Sequence, residues 1–141
     1  MEQAITPYLL YEDGNAAVDF LTTAFGFAEK VRSRSPEGRT WHAELALGDG
    51  VVYLGEPGGD YRNPKRLGAA TASIYVLVDD VDAHFRRAKA AGAEIVDEPE
   101  DKDYGDRRYF ARDPEGHEWF FAQRLRQVAP QEWGAEVPAA G

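Results

Sequence analysis

Hydrophobic and polar positions along the chain switch between a period of two and a period near 3.6, and they do so twice in the same order. Residues 5–12, ITPYLLYE, are mostly apolar and predict a strand. Asp13 or Asn15 follows as a helix cap, and Ala17, Phe20, Leu21 and Ala24 then form one helical stripe that stops at Gly26. AEKVRSRS predicts a second strand, and PEG at 36–38 a turn. RTWHAELAL alternates, with Trp41, Ala43, Leu45 and Leu47 on one face and His42, Glu44 and Ala46 on the other. After a GDG turn, VVYLGEP at 51–57 predicts a fourth strand. The order is β-α-β-β-β.

Residues 58–70, rich in glycine and charge, predict a linker, and the pattern then restarts. TASIYVLV predicts a strand, and Asp79 or Asp80 caps a helix with the stripe Val81, His84, Phe85 and Ala88, closed by Gly92. AEIVDEP predicts a short strand, EDKDYGD a loop, RRYFARD a strand, PEG a turn and HEWFFAQ the last strand. The fold class expected is therefore α+β: two βαβββ modules, at about 4–57 and 71–124, in one domain spanning 1–124. Residues 125–141 form a tail with an isolated Trp133, either a mobile end or a segment that docks this ring on its own cavity or on a partner subunit.

Composition narrows the function. A formal charge of −9 argues against a nucleic-acid partner, which needs a basic surface. The absence of cysteine removes disulfides, thiolate nucleophiles and zinc–thiolate sites. No apolar run approaches the roughly 20 residues of a membrane span, and the N-terminus lacks the layout of a signal peptide, so a cytoplasmic protein with no membrane partner is expected. His117 and Glu118 look like half of a metal site, but neighbours in a strand point to opposite faces and cannot chelate together. Position 121 is Phe, so there is no H-E-x-x-H motif either.

The period-two phase sorts the strands into two faces. Leu9, Val52, Leu54, Ile74, Val76, Val78, Trp119 and Phe121 are uniformly apolar, as a face packed on helices should be. The other face gathers Thr6, Tyr8 and Leu10; His42 and Glu44; Val51 and Tyr53; Ser73, Tyr75 and Leu77; and Glu118 and Phe120. Aromatic walls with scattered polar groups are the composition of a ligand cavity, although the same rings would also fill a core.

YGDRRYFARDPEGHEWFFAQ, with its DP-x-G turn before the last strand, resembles the ending of the vicinal oxygen chelate superfamily, which includes glyoxalase I, bleomycin-resistance proteins and extradiol dioxygenases. YVLVDDVDAHFRRAKAAGAEIVDEP is similar to its second-module strand-helix-strand, and AVDFLTTAFGF to its first-module helix. The resemblance covers about residues 4–124 and implies two modules whose sheets curl around a cavity. It also implies a divalent metal in the enzymes, held by the first and last strand of each module, that acts as a Lewis acid on two substrate oxygens. Carried over, the four ligand positions fall on Thr6, Tyr53, Ser73 (with Ala72 or Ile74 one residue away) and Phe120, which are not a divalent-metal set.

The expectation is therefore a protein without metal or other cofactor, and without catalytic residues. It sequesters an aromatic or antibiotic-like small molecule in an aromatic-lined cavity, as a homodimer. Its candidate ligand-binding residues are Thr6, Tyr8, His42, Glu44, Tyr53, Ser73, Tyr75, Tyr104, Arg108, Glu118 and Phe120. Tyr104 lies in a loop that covers the drug in the bleomycin-resistance relatives. Alternation sends one of Arg107 and Arg108 inward, to pair with Glu118 or Glu44 or to grip a ligand carboxylate. The competing expectation is an isomerase or lyase, using either a displaced metal where His42, Glu44 and Glu118 converge or a metal-free His42/Glu44 acid–base pair.

Overall fold

The computed structural model describes residues 2–140. The first module runs β1 (Tyr8–Leu10), α1 (Gly14–Phe25), β2 (Ala28–Arg34), β3 (Thr40–Leu47) and β4 (Gly50–Gly55). After a short α2 (Pro64–Leu67), the second runs β5 (Ser73–Leu77), α3 (Val81–Ala90), β6 (Glu94–Asp101), β7 (Asp106–Arg112) and β8 (Glu118–Arg124). Each module makes a four-stranded mixed sheet, ordered β1-β4-β3-β2 and β5-β8-β7-β6, with its first strand parallel to its last. The chain is thus an α+β protein of two repeated βαβββ modules. No helix among the described residues is long and apolar enough to cross a membrane.

The repeat extends to the caps. Asp13 and Asp80 each accept the backbone N–H three residues on, at 3.1 Å in both helices. Counting back from these caps aligns Thr6 with Ser73, Tyr8 with Tyr75 and Leu10 with Leu77. α1 stops at Gly26, whose φ of 79° is the left-handed conformation that glycine adopts without a Cβ clash.

One core serves both modules. The predicted helix-facing set is buried or packed against the core, with Leu54, Trp119 and Phe121 fully covered. Phe25, at the end of α1, lies 4.6 Å from Phe121, 5.5 Å from Trp119 and 5.1 Å from Phe20 between ring centroids, joining the first module's helix to the second module's sheet. His84 on α3 is more than the edge residue its stripe suggests. Its Nε2–H donates to the Phe25 carbonyl at 2.8 Å, and its Nδ1 accepts from the Tyr109 hydroxyl at 2.6 Å.

Burial holds the His84 pKa below the ordinary 6.5, because its charged form is poorly solvated there; the bond to the Phe25 carbonyl opposes this less strongly. A base whose folded pKa is depressed stabilises the fold above its unfolded pKa, and that stability is lost as pH falls through the folded value. The urea midpoint is therefore expected to be flat just above pH 6.5 and to fall as the pH drops below it, with the slope reduced in His84→Gln.

The two sheets are not hydrogen-bonded to each other, yet β1 and β5 lie along a common seam. The Leu10 carbonyl on the outer edge of β1 accepts from His117 Nε2 and from the Tyr61 hydroxyl, both at 2.7 Å. His117 therefore clasps the modules together, in place of the metal-ligand role that its pairing with Glu118 first suggested. Below the seam Asp113, 4% exposed, accepts from the Tyr11 hydroxyl at 2.6 Å and from Trp119 Nε1 at 3.1 Å. Glu115 accepts from the backbone N–H groups of Glu12 at 2.7 Å and Asp13 at 2.9 Å.

Four expectations change. Residues 58–70 are not a plain linker: α2 is capped by Asn63, whose amide also reaches Glu115 at 3.0 Å. The first strand is only three residues long, so Thr6 precedes it. β6 continues two residues into the expected loop, to Asp101. Trp41 is 56% exposed instead of facing the core, because β2 and β3 shift register between Ser33↔His42 and Arg34↔Thr40. Such a bulge adds one residue and breaks the alternation locally, so Thr40 is buried in its place.

Candidate functional site

The sheet face turned away from the helices carries the candidate residues in two half-sites, one per module. In the first, the register places Tyr8 beside Tyr53 and Tyr53 beside Glu44, with His42 one pleat further along β3. Their side chains form a hydrogen-bonded chain. Tyr8 Oη donates to His42 Nδ1 at 2.7 Å, and His42 Nε2–H donates to Glu44 Oε2 at 2.8 Å. The Tyr53 ring stands edge-on to both, 5.8 Å from Tyr8 and 5.1 Å from His42. Both imidazole nitrogens are engaged, so the groups left to meet a ligand are the Tyr8 oxygen lone pairs and the second Glu44 oxygen, which accept, and the Tyr53 hydroxyl, which donates or accepts.

Gly55 makes this possible. A Cβ there would lie 2.5 Å from the Trp41 carbonyl oxygen and 3.1 Å from Tyr8 Oη, so the tyrosine lies over the space that a side chain would fill. Gly55→Ala is expected to displace Tyr8 from His42 and to cost about 1–3 kcal/mol by overpacking, measured by urea unfolding, with ligand affinity falling in parallel.

In the second half-site Phe120 is the centre. Its ring stacks on Phe110 at 4.4 Å and lies 6.1 Å from Tyr75, and the Arg108 guanidinium sits 4.6 Å above it. Tyr75 donates to Asp106 Oδ2 at 2.7 Å. Burial, then the contacts with Tyr104 and Asp106, raise its phenol pKa well above the usual value. Tyr104 lies 3.5 Å from the Tyr75 hydroxyl and meets Trp133 edge-on at 6.1 Å. The segment after β8 therefore folds back as a short 3-10 turn (Pro130–Trp133) that brings Trp133 onto this half-site, and is not a free end up to that point.

Other candidates are placed differently. Arg107 points away and pairs with Asp82 at 3.0 Å and Asp101 at 2.9 Å, which makes Arg108 the arginine of this face. Glu118 does not join His42 and Glu44: it sits on the other sheet, beside Ser73 in register, and accepts from Arg112 Nε at 3.1 Å. The convergence of these three carboxylate and imidazole groups is thereby corrected, and the arginine beside Glu118 is Arg112, not Arg108. Thr6 is half-buried ahead of β1, with its hydroxyl 3.4 Å from the Gln3 amide. Phe110 and Trp133 were not among the expected site residues. Phe110 follows from alternation along β7, whereas no local pattern ties Trp133 to Tyr104.

The family-type metal positions do not fit a metal. Thr6, Tyr53, Ser73 and Phe120 offer two hydroxyls, a phenol and a hydrocarbon ring, and among the described residues no three His, Asp or Glu side chains cluster closely enough to hold an ion. Nor is the face an enclosed cavity in the single chain. Clefts of about 290 and 660 Å³ along the seam reach Tyr8, Glu118 and Tyr75, but His42, Glu44, Tyr53, Arg108 and Phe120 line neither.

Comparison with known proteins agrees with this architecture. Residues 5–121 match the family model of the Glyoxalase/Bleomycin resistance protein/Dioxygenase superfamily. The uncharacterized protein Mb0911c of Mycobacterium bovis is 36% identical across 100% of this chain and 96% of its own length. The crystal structure of TioX from Micromonospora sp. ML1 is 37% identical and superposes with a TM-score of 0.71, covering 88% of this chain and all of that one. A superfamily member from Sphaerobacter thermophilus, 21% identical, shares the fold with a TM-score of 0.68 over 87% of this chain and 98% of its own. With two βαβββ modules, one shared core and this match over most of its length, the chain belongs to the Glyoxalase/Bleomycin resistance protein/Dioxygenase superfamily.

Proposed function

We propose that the protein binds an aromatic or natural-product-like small molecule on the open aromatic face and sequesters it without chemical change. The observation that carries this reading is the residue set of that face: Tyr8, Tyr53, Tyr75, Phe110 and Phe120, with only a few polar groups between them. Large flat rings give contact area at low entropic cost, and the sparse polar groups orient a ligand. The lack of a metal-ligand set at the family positions supports binding over Lewis-acid chemistry.

Tyr8, Leu10, Tyr75 and Leu77 are 50%, 39%, 44% and 52% exposed in the single chain. Exposed apolar side chains of this size mark an interaction site, and a second copy covering them would close the face into a cavity, so the proposal includes a homodimer, with the cytoplasm as its proposed location. A thermal-shift survey of aromatic and peptide natural products is expected to yield stabilising ligands whose effect is lost in a Tyr53→Ala, Phe120→Ala double variant. A broad survey without a single hit counts against it.

The Tyr8–His42–Glu44 chain favours one second reading, a metal-free acid–base catalyst. Because both His42 nitrogens are engaged, Tyr8 Oη is then the group that meets the substrate, with His42 taking its proton and Glu44 stabilising the imidazolium. Turnover that survives chelator and is abolished by Tyr8→Phe is the result that would favour it.

A further inference from the structure

The two half-sites match in position but not in polarity. Glu44 pairs in register with Tyr53 as Phe110 pairs with Phe120, so His42 and Arg108, each two residues earlier on its strand, occupy equivalent places. The first module thus presents acceptors at Glu44 and Tyr8, whereas the second presents the guanidinium of Arg108.

Arg108 is also singular among the partly buried arginines. Of the partly buried ones, Arg32 pairs with Glu29, Arg107 with Asp82 and Asp101, and Arg112 with Glu94 and Glu118. Arg108 has no carboxylate or hydrogen-bond acceptor among the described residues, in a chain holding 25 acidic side chains against 16 basic ones. A guanidinium stacked on an aromatic ring keeps its N–H fork free in the plane, the geometry that takes a carboxylate through two parallel bonds. In a chain of net charge −9, an anion gains nothing from long-range attraction, so its capture rests on this short-range contact.

We propose that the ligand is a planar aromatic acid: its carboxylate is held by Arg108 and its ring lies against the Phe110 and Phe120 pair. The inference rests on the open face being the binding site and names the class of molecule that it takes.

The test is calorimetric titration of the full-length protein with two probes: a naphthoate and its neutral naphthamide. The acid is expected to bind about tenfold or more tightly than the amide, as a charge-assisted pair implies. Arg108→Gln should bring the two to one affinity, with cooperative urea unfolding at an unshifted midpoint showing that the variant is folded. Arg108→Lys should fall between, since an ammonium offers no fork. Equal binding of acid and amide by the unaltered protein, or a preference for the acid that survives Arg108→Gln, overturns the inference and leaves the aromatic site standing. Binding of neither overturns both.

Discussion

Asp113→Ala is expected to cost about 3–5 kcal/mol of stability, the range found when a buried charged partner is removed from its hydrogen bonds. The carboxylate lies in the seam and serves four donors at once: the Tyr11 hydroxyl, Trp119 Nε1, and the backbone N–H groups of Glu115 at 3.1 Å and His117 at 3.0 Å. Its loss leaves a buried phenol and a buried indole N–H without partners and slackens the turn that carries Glu115 and His117 to the first module. Burial, and then Asp113 itself, hold the Tyr11 phenol pKa well above 10, so it stays a neutral donor. Urea unfolding measures the effect, and a loss under about 1 kcal/mol would mean that the seam is held elsewhere. Ligand binding should weaken too, because the half-sites keep their relation through this turn.

Phe25→Ala is expected to cost about as much, roughly 3–5 kcal/mol, through lost burial and the cavity left behind. The ring is fully buried and touches Phe20 from its own module and His84, Trp119 and Phe121 from the other. Nothing mobile stands near enough to fill the gap, since the neighbours are themselves locked rings. Phe25→Leu should retain more than half of the lost stability. A small effect of the alanine variant in denaturant titration would show that the modules are stable separately, against the single shared core described above.

Much of the fold was legible because each module obeys local rules: an aspartate cap, a helical stripe, and strands of period two. The faces were legible for the same reason, which is how Tyr8, His42, Glu44, Tyr53, Tyr75 and Phe120 were found. The failures have physical causes. A bulge at Trp41 changes the phase of one strand without changing its composition. Ion pairing is a choice among several nearby charges, and alternation cannot say that Arg112, not Arg108, takes Glu118. The role of Asp113 depends on a partner 102 residues away, Tyr11, which no local pattern links to it. The same holds for Gly116, which reads as a turn glycine with φ of 90°. A Cβ there would also come within 2.7 Å of the Lys65 backbone nitrogen, so α2 packs onto the turn itself.

Native mass spectrometry of the purified protein, with elemental analysis of the same sample, tests most directly whether the aromatic face is a metal-free ligand site. A metal-free dimer, whose mass rises on addition of an aromatic ligand and does not rise in the Tyr53→Ala, Phe120→Ala variant, is the expected result. A stoichiometric divalent metal, lost in His42→Ala or Glu44→Gln, would contradict it and make the face a catalytic centre.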